Sequence, residues 1–235
     1  MPVRPCLAFV CGHLCDERLF AAQVGALDND YDCRVFVFRE EDSMRRMADT
    51  LLAGTPPRFT LIGLSLGGYV AFEVIRRAAA RIERLALLDT LAGADDDARR
   101  TIRLADIAKV REGGIEALIP GLPARWLLPA HAARVDLVEL MASMARGIGA
   151  SAQRRQQRAM LARPDSFDAL AGLTIPTLVL CGAQDAVTPV AEHEAMAARV
   201  PGARLEIIAN CGHLSTLEQP AAVNDVLTDW LVSTR

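Results

Sequence analysis

The sequence predicts an α/β fold: a mainly parallel sheet of about six strands, helices on both faces, and a helical insertion. Three observations carry this. Short, continuously apolar runs alternate with longer stretches of helical periodicity, the pattern of strands buried on both faces and joined by crossover helices. The alternation fails between residues 92 and 172. A Gly-x-Ser-x-Gly stands where one apolar run meets a helical stretch.

In chain order, the strand-like runs are CLAFV (6–10), CRVFVF (33–38), FTLIGL (59–64), LALLD (85–89), PTLVLCG (176–182) and RLEIIA (204–209). Helices are predicted over 16–27, 43–54, 67–81, 189–200 and 221–233. Within 67–81, Val70, Val74, Ile75 and Ala78 share a face while Arg76, Arg77 and Arg81 lie mostly elsewhere. Residues 92–172 contain no convincing strand but carry helical stretches, the acids Asp95 to Asp97, and breakers at REGG, PGLP and LLPA. The expected organisation is therefore a core of 1–91 with 173–235, interrupted by a helical lid over 92–172.

Composition narrows the partners. The chain has 235 residues, 51% of them hydrophobic, enough for one sizeable core, and its net charge of −3 gives no general attraction to nucleic acid or acidic membranes. The cluster Arg154, Arg155, Arg158 and Arg163 reads as a solvated helix face. The start MPVRPCLAFVCGH has too short an apolar run for a signal peptide, and no run reaches the roughly 18 residues of a membrane span. Six cysteines without secretory context read as reduced thiols. A cytoplasmic protein, monomer or homodimer, is expected, with no nucleic-acid or membrane partner.

The chemistry concentrates in GLSLGG (63–68), which places Ser65 on a sharp strand-to-helix turn. Flanking glycines are needed because a β-carbon there would crowd the turn, and the helix N-terminus offers unpaired amides to a developing anion. Serine needs a base. Of the four histidines, His193 falls on a predicted helix and His131 in the insertion, while His213 follows the last strand and so shares the sheet edge of Ser65. An orienting acid at that edge is Asp185, in the loop CGAQDAVTP; Asp89, ending the fourth strand, is the alternative.

These pieces, with VCGHLCDERLF (10–20), LLDT (87–90) and IANCGHLSTLEQP (208–220), resemble the α/β-hydrolase superfamily along almost the whole chain, in its lidded esterase and lactonase branch. The resemblance implies Ser65 as nucleophile, Asp185 as acid and His213 as base. It also implies an eight-stranded sheet, of which this sequence begins at the third strand, so the usual N-terminal hairpin is expected to be missing. In the first βα loop, Cys11 and Gly12 stand where the family has His-Gly. The backbone N–H of His13 then becomes one oxyanion donor and that of Leu66 the other, with Gly12 supplying the backbone freedom and the His13 side chain left free to line the pocket.

CGHLC (11–15) and CGHLS (211–215) share four letters, which raises a zinc site built from Cys11, His13, Cys211 and His213. Cys-x-His is tighter than usual zinc spacings, and ligation would remove the base from Ser65. No metal and no cofactor are expected. The expected activity is hydrolysis of a small or medium carboxylic ester through an acyl-enzyme. Lactone, thioester or C–C hydrolysis and cofactor-free perhydrolysis are alternatives on the same triad, as is a hydrolase-fold receptor or scaffold with little turnover. Substrate is expected to meet Trp126, Met141 and Met144 of the lid, with Leu118, Ile119, Leu127 and Leu128 as further apolar candidates. Arg125 and Arg146 are placed to receive an acidic tail.

Overall fold

The computed structural model describes residues 4–234. Six parallel strands form one sheet: β1 (Cys6–Val10), β2 (Asp32–Phe36), β3 (Phe59–Leu64), β4 (Ile82–Leu88), β5 (Thr177–Gly182) and β6 (Arg204–Ile208), in the order β2-β1-β3-β4-β5-β6. The strand order reverses at β1, which pairs with β2 on one side and β3 on the other. Val10 lies in register with Gly63, so the loop after β1 and the turn after β3 emerge side by side. That is the topological switch point at which α/β sheets collect their ligands.

The continuous apolar runs follow from burial on two faces. Leu7, Phe9, Ile62, Leu64, Ala86, Leu88, Leu178 and Leu180 face one core. There they meet helices α1 (Ala21–Leu27), α9 (Ser215–Glu218) and α10 (Pro220–Ser233) and part of the insertion. Ala8, Val10, Leu61, Leu85, Leu87 and Val179 alternate with them and face the other core. This second core is closed by α2 (Met44–Ala53), α3 (Leu66–Ala78) and α8 (Val190–Ala197). Fully burying a Leu or Phe side chain contributes about 1.5–3 kcal/mol.

Of the boundaries that differ from the sequence expectation, two have a clear physical reason. β4 starts at Ile82 rather than 85, because Glu83 and Arg84 at its first turns are only half-buried and read as loop; Arg84 is spent on the carbonyl of Thr234. The predicted helix 16–27 is split: Asp16 caps a 3-10 turn over Glu17–Phe20 before α1 begins. Between β4 and β5 the described residues form helices and turns only. The main ones are α4 (Asp97–Gly113), α5 (Leu122–Trp126), α6 (Val135–Leu161) and α7 (Phe167–Leu170). Asp96 caps α4 through the amide of Arg99. Helix α6 is broken at Gly149, whose φ of 78° no helix accommodates.

Candidate active site

Ser65 sits between the end of β3 and the start of α3 with φ 53° and ψ −111°. Backbone strain of this kind costs on the order of 1–3 kcal/mol and persists only when its surroundings hold it. Those surroundings are tight. A β-carbon on Gly63 would come within 2.4 Å of the Gly67 carbonyl oxygen, and one on Gly67 within 2.1 Å of the Val10 carbonyl oxygen. The Ser65 amide donates to Leu88 O (3.0 Å), and Thr90 Oγ1 donates to Ser65 O (2.9 Å). Thr90 is itself fixed by His193, whose Nε2 accepts its amide at 3.0 Å. Burial pushes His193 down to about 4, so its ring stays neutral and acts as a brace. Leu66 opens α3, and the first amides of a helix have no partner within it.

His213 and Asp185 meet Ser65 in a single chain of hydrogen bonds. His213 Nε2 lies 3.1 Å from Ser65 Oγ, and Nδ1 lies 2.8 Å from Asp185 Oδ2. A carboxylate can only accept from Nδ1–H, which leaves the Nε2 lone pair facing the hydroxyl. Asp185 also accepts the amides of Val187 (2.7 Å) and Thr188 (2.9 Å) and the Thr188 hydroxyl (2.6 Å). Burial alone would depress the His213 pKa; the Asp185 charge and hydrogen bond outweigh it, and the net shift is upward. Asp185 moves down for the matching reason, its burial outweighed by His213 and its donors.

Asp89 is fully buried at the same edge but makes no bond to His213. Its carboxyl takes the Gly182 amide (3.2 Å), the Ser215 amide (3.0 Å) and the Ser215 hydroxyl (2.5 Å). Burial, then the charge of Asp185, raises it to about 8. The geometry thus sets Asp185, not Asp89, against His213 Nδ1 and leaves Asp89 bridging the β5 end to the residue two beyond His213.

The loop after β1 packs against the serine turn: a β-carbon on Gly12 would lie 3.6 Å from Ser65 Cβ. The backbone freedom expected of Gly12 is used elsewhere in the loop: the positive φ falls on Leu14 (58°). Leu14 is the third residue of a turn closed by Cys15 N–H donating to Gly12 O (3.2 Å), where glycine is the usual choice. The His13 ring lines the cavity but is not free. Nδ1 is 2.7 Å from Gln156 Oε1, and Nε2 is 3.2 Å from Gln157 Nε2. Burial lowers His13 to about 4.

Ser65, His13, His213 and Trp126 line one cavity of about 470 Å³. Leu64, Leu91, Ile102, Met160, Val187 and Leu214 give it apolar walls. Met141 and Met144, expected to meet substrate, do not line the cavity: they are buried in the apolar core, on the stripe of α6 that also buries Leu137, Ala145 and Ile148. Met160, one of the last residues of the same helix, reaches the cavity. Arg125 lines the cavity but is held by Asp106 (2.6 and 3.2 Å); Arg146 is spent on exposed Glu116.

The base loop is clamped to the insertion. Buried Glu218 accepts the amides of Gly212 (3.0 Å), Leu214 (3.2 Å) and Leu128 (2.8 Å) and lies 2.8 Å from His131 Nδ1. The His213 amide donates to Trp126 O at 2.8 Å. The sequence does not single out Gln156, Thr188 or Glu218, and it places His193 only on a helix, with no role. The one readable signal was Gln153, Gln156 and Gln157, amides spaced as neighbours on a helix that elsewhere buries apolar side chains. Among the described residues no group of three or more His, Cys, Asp or Glu side chains could hold a metal, and no helix is long and apolar enough to cross a membrane.

The family model described as "Alpha/beta hydrolase family" matches residues 18–226. The chain belongs to the alpha/beta hydrolase family. A thermophilic esterase from Thermogutta terrifontis shares this alpha/beta hydrolase's architecture at a TM-score of 0.89. The two are 29% identical, with 99% of this chain and 91% of that one covered. The 3-oxoadipate enol-lactonase 2 of Acinetobacter baylyi is 26% identical over 72% of this chain and 61% of its own length. The pimeloyl-[acyl-carrier protein] methyl ester esterase of Aromatoleum aromaticum is 28% identical over 76% of both chains. This alpha/beta hydrolase spans less than two thirds of the first two curated relatives it matches, 66% and 61%.

Proposed function

We propose that the protein is a serine hydrolase that cleaves a small or medium carboxylic ester through an acyl-enzyme. The observation that carries this is the chain from Ser65 Oγ to His213 Nε2 (3.1 Å) and from Nδ1 to Asp185 (2.8 Å), opening on a mostly apolar cavity. In this reading Ser65 attacks the acyl carbonyl while His213 takes its proton. Asp185 keeps the ring in the Nδ1–H tautomer and stabilises its cation. The amides of His13 and Leu66 receive the oxyanion. His213 then protonates the leaving alcohol and activates water against the acyl-enzyme.

Each arginine of the cavity wall has an acidic partner: Arg99 with Asp96 and Glu192, Arg103 with Asp95, and Arg125 with Asp106. This favours uncharged acyl groups over the acidic tail that the sequence suggested. The residues 92–172 act as the lid that selects them. Lactone opening is the second reading, favoured by the likeness to an enol-lactonase, and it needs the same residues.

A panel of uncharged short- and medium-chain esters and lactones tests both readings, with Ser65→Ala as control. Turnover and fluorophosphonate labelling are expected to vanish together in that variant. Labelling that persists would sink the nucleophile assignment.

A further inference from the structure

The loop that should supply the oxyanion amide of His13 is held in an unusual way. Its turn bends at Leu14, a leucine at φ 58°, and nothing in residues 11–15 themselves accepts the Leu14 amide. The acceptor comes from the insertion: Gln156 Oε1 takes the Leu14 N–H at 3.1 Å and the His13 Nδ1 proton at 2.7 Å. The same side chain donates Nε2 to Phe38 O at 2.7 Å, just past the end of β2. That donation settles which end of the Gln156 amide is oxygen, and so which His13 nitrogen carries hydrogen. His13 is therefore the neutral Nδ1–H tautomer, and its Nε2 accepts from Gln157 Nε2. Gln156 is 1% exposed and all three of its contacts are made inside the protein.

We propose that Gln156 is a positioning residue for catalysis: by holding the His13 ring, the strained Leu14 amide and the Phe38 carbonyl together, it aims the His13 backbone N–H at the oxyanion. The inference rests on the reading of Ser65 as an ester-cleaving nucleophile. Its physical basis is that a left-handed leucine relaxes unless neighbouring groups over-determine it, and here Gln156 adds to the Cys15–Gly12 turn bond the acceptor that the Leu14 amide takes from no other group of the loop. A donor that swings away by a fraction of an ångström weakens the transition state and leaves substrate binding untouched.

The full-length chain tests this with a neutral activated ester and a trifluoromethyl ketone, whose tetrahedral adduct with Ser65 needs the same donors as the oxyanion. Gln156→Met keeps the volume and removes all three bonds. It is expected to lower kcat about 10- to 100-fold, with KM within about threefold and ketone affinity reduced by a factor like that of kcat. Gln156→Glu keeps both acceptor contacts and should recover most of the lost kcat. A folded Gln156→Met variant with kcat within about threefold of the parent, or one in which KM rises while ketone affinity stays, would overturn the assignment. If Gln156→Met does not fold, Gln156→Ala decides by the same readouts: kcat and ketone affinity that fall together by about tenfold or more, with KM within about threefold, support the role, and any smaller or unequal change rejects it. Independently of turnover, ¹⁵N NMR of the parent should find His13 neutral and Nδ1-protonated at pH 6–8; an Nε2–H ring overturns the network. Turnover that survives Ser65→Ala defeats the hydrolase reading instead, a result none of the Gln156 measurements can imitate.

Discussion

Residues 11–15 and 211–215 read CGHLC and CGHLS, yet the fold uses the two histidines in opposite ways. The His213 ring is held from behind by Asp185 and turned toward Ser65, so its Nε2 is available to take a proton. The His13 ring is held on both nitrogens by the amides Gln156 and Gln157 and is kept neutral by burial. A carboxylate partner makes an imidazole a better base; amide partners make it a strut. The shared tetrapeptide decides neither outcome. What differs is the group that the rest of the chain brings to each ring.

The contrast is sharpest in substitutions to alanine. In the proposed mechanism His213→Ala removes the base and should lower kcat by on the order of 10⁴–10⁶ in an ester assay. Asp185→Asn should cost on the order of 10²–10⁴, because the amide can hold Nδ1 in the wrong tautomer. In the parent, kcat/KM should climb with pH through a value above the ordinary 6.5 of histidine, since only neutral His213 accepts the proton and its pKa is raised. His13→Ala keeps the backbone donor and the Leu14–Gln156 bond, so a loss of only about tenfold is expected; a loss equal to that of His213→Ala would erase the distinction between the loops.

Asp89 probes the comparison at its weakest point, because it lies by the same edge without touching either ring. Asp89→Asn should leave kcat/KM within about tenfold and lower stability by about 1–3 kcal/mol, since an amide cannot accept all the donors aimed at the carboxyl. The pH profile of stability separates the two effects. The unfolded chain releases this proton near 3.8 and the folded chain keeps it to about 8. The stability linked to it is therefore full below pH 4 and falls as pH rises through 8. Thermal melts of Asp89→Asn across that window should show a smaller fall than those of the parent. The smallest expected effect is that of zinc. Cys11 and Cys211 are buried, and burial raises both thiols well above their usual range, so micromolar zinc or a chelator should leave activity and melting temperature unchanged.

The fold and the Ser65–His213–Asp185 group were largely legible in the sequence because they depend on local chemistry at strand ends. The apolar runs identified six strands, and three of their C-terminal loops carried the serine, the acid and the histidine. Illegible were the partners that close over long separations. Gln156 meets His13 across 143 residues, and no periodicity reports that. Met141 and Met144 were assigned to the cavity because an apolar helix face looks the same whether it covers a core or a ligand. Arg125 looked available because pairing with Asp106 is a property of how α4 lies beside α5, not of either segment alone.

Glu218 has a mechanical consequence. One carboxylate, out of reach of solvent, fastens the amides on either side of His213 to the Leu128 amide and to His131. Lifting this corner of the insertion would strand that charge without partners in the protein, a penalty of several kcal/mol. The Trp126–His131 corner is therefore expected to stay fixed, whereas on the α4 side of the cavity Ile102 is 48% exposed. In hydrogen–deuterium exchange, the amides of Gly212, Leu214 and Leu128 should open together and late, long after those of α4.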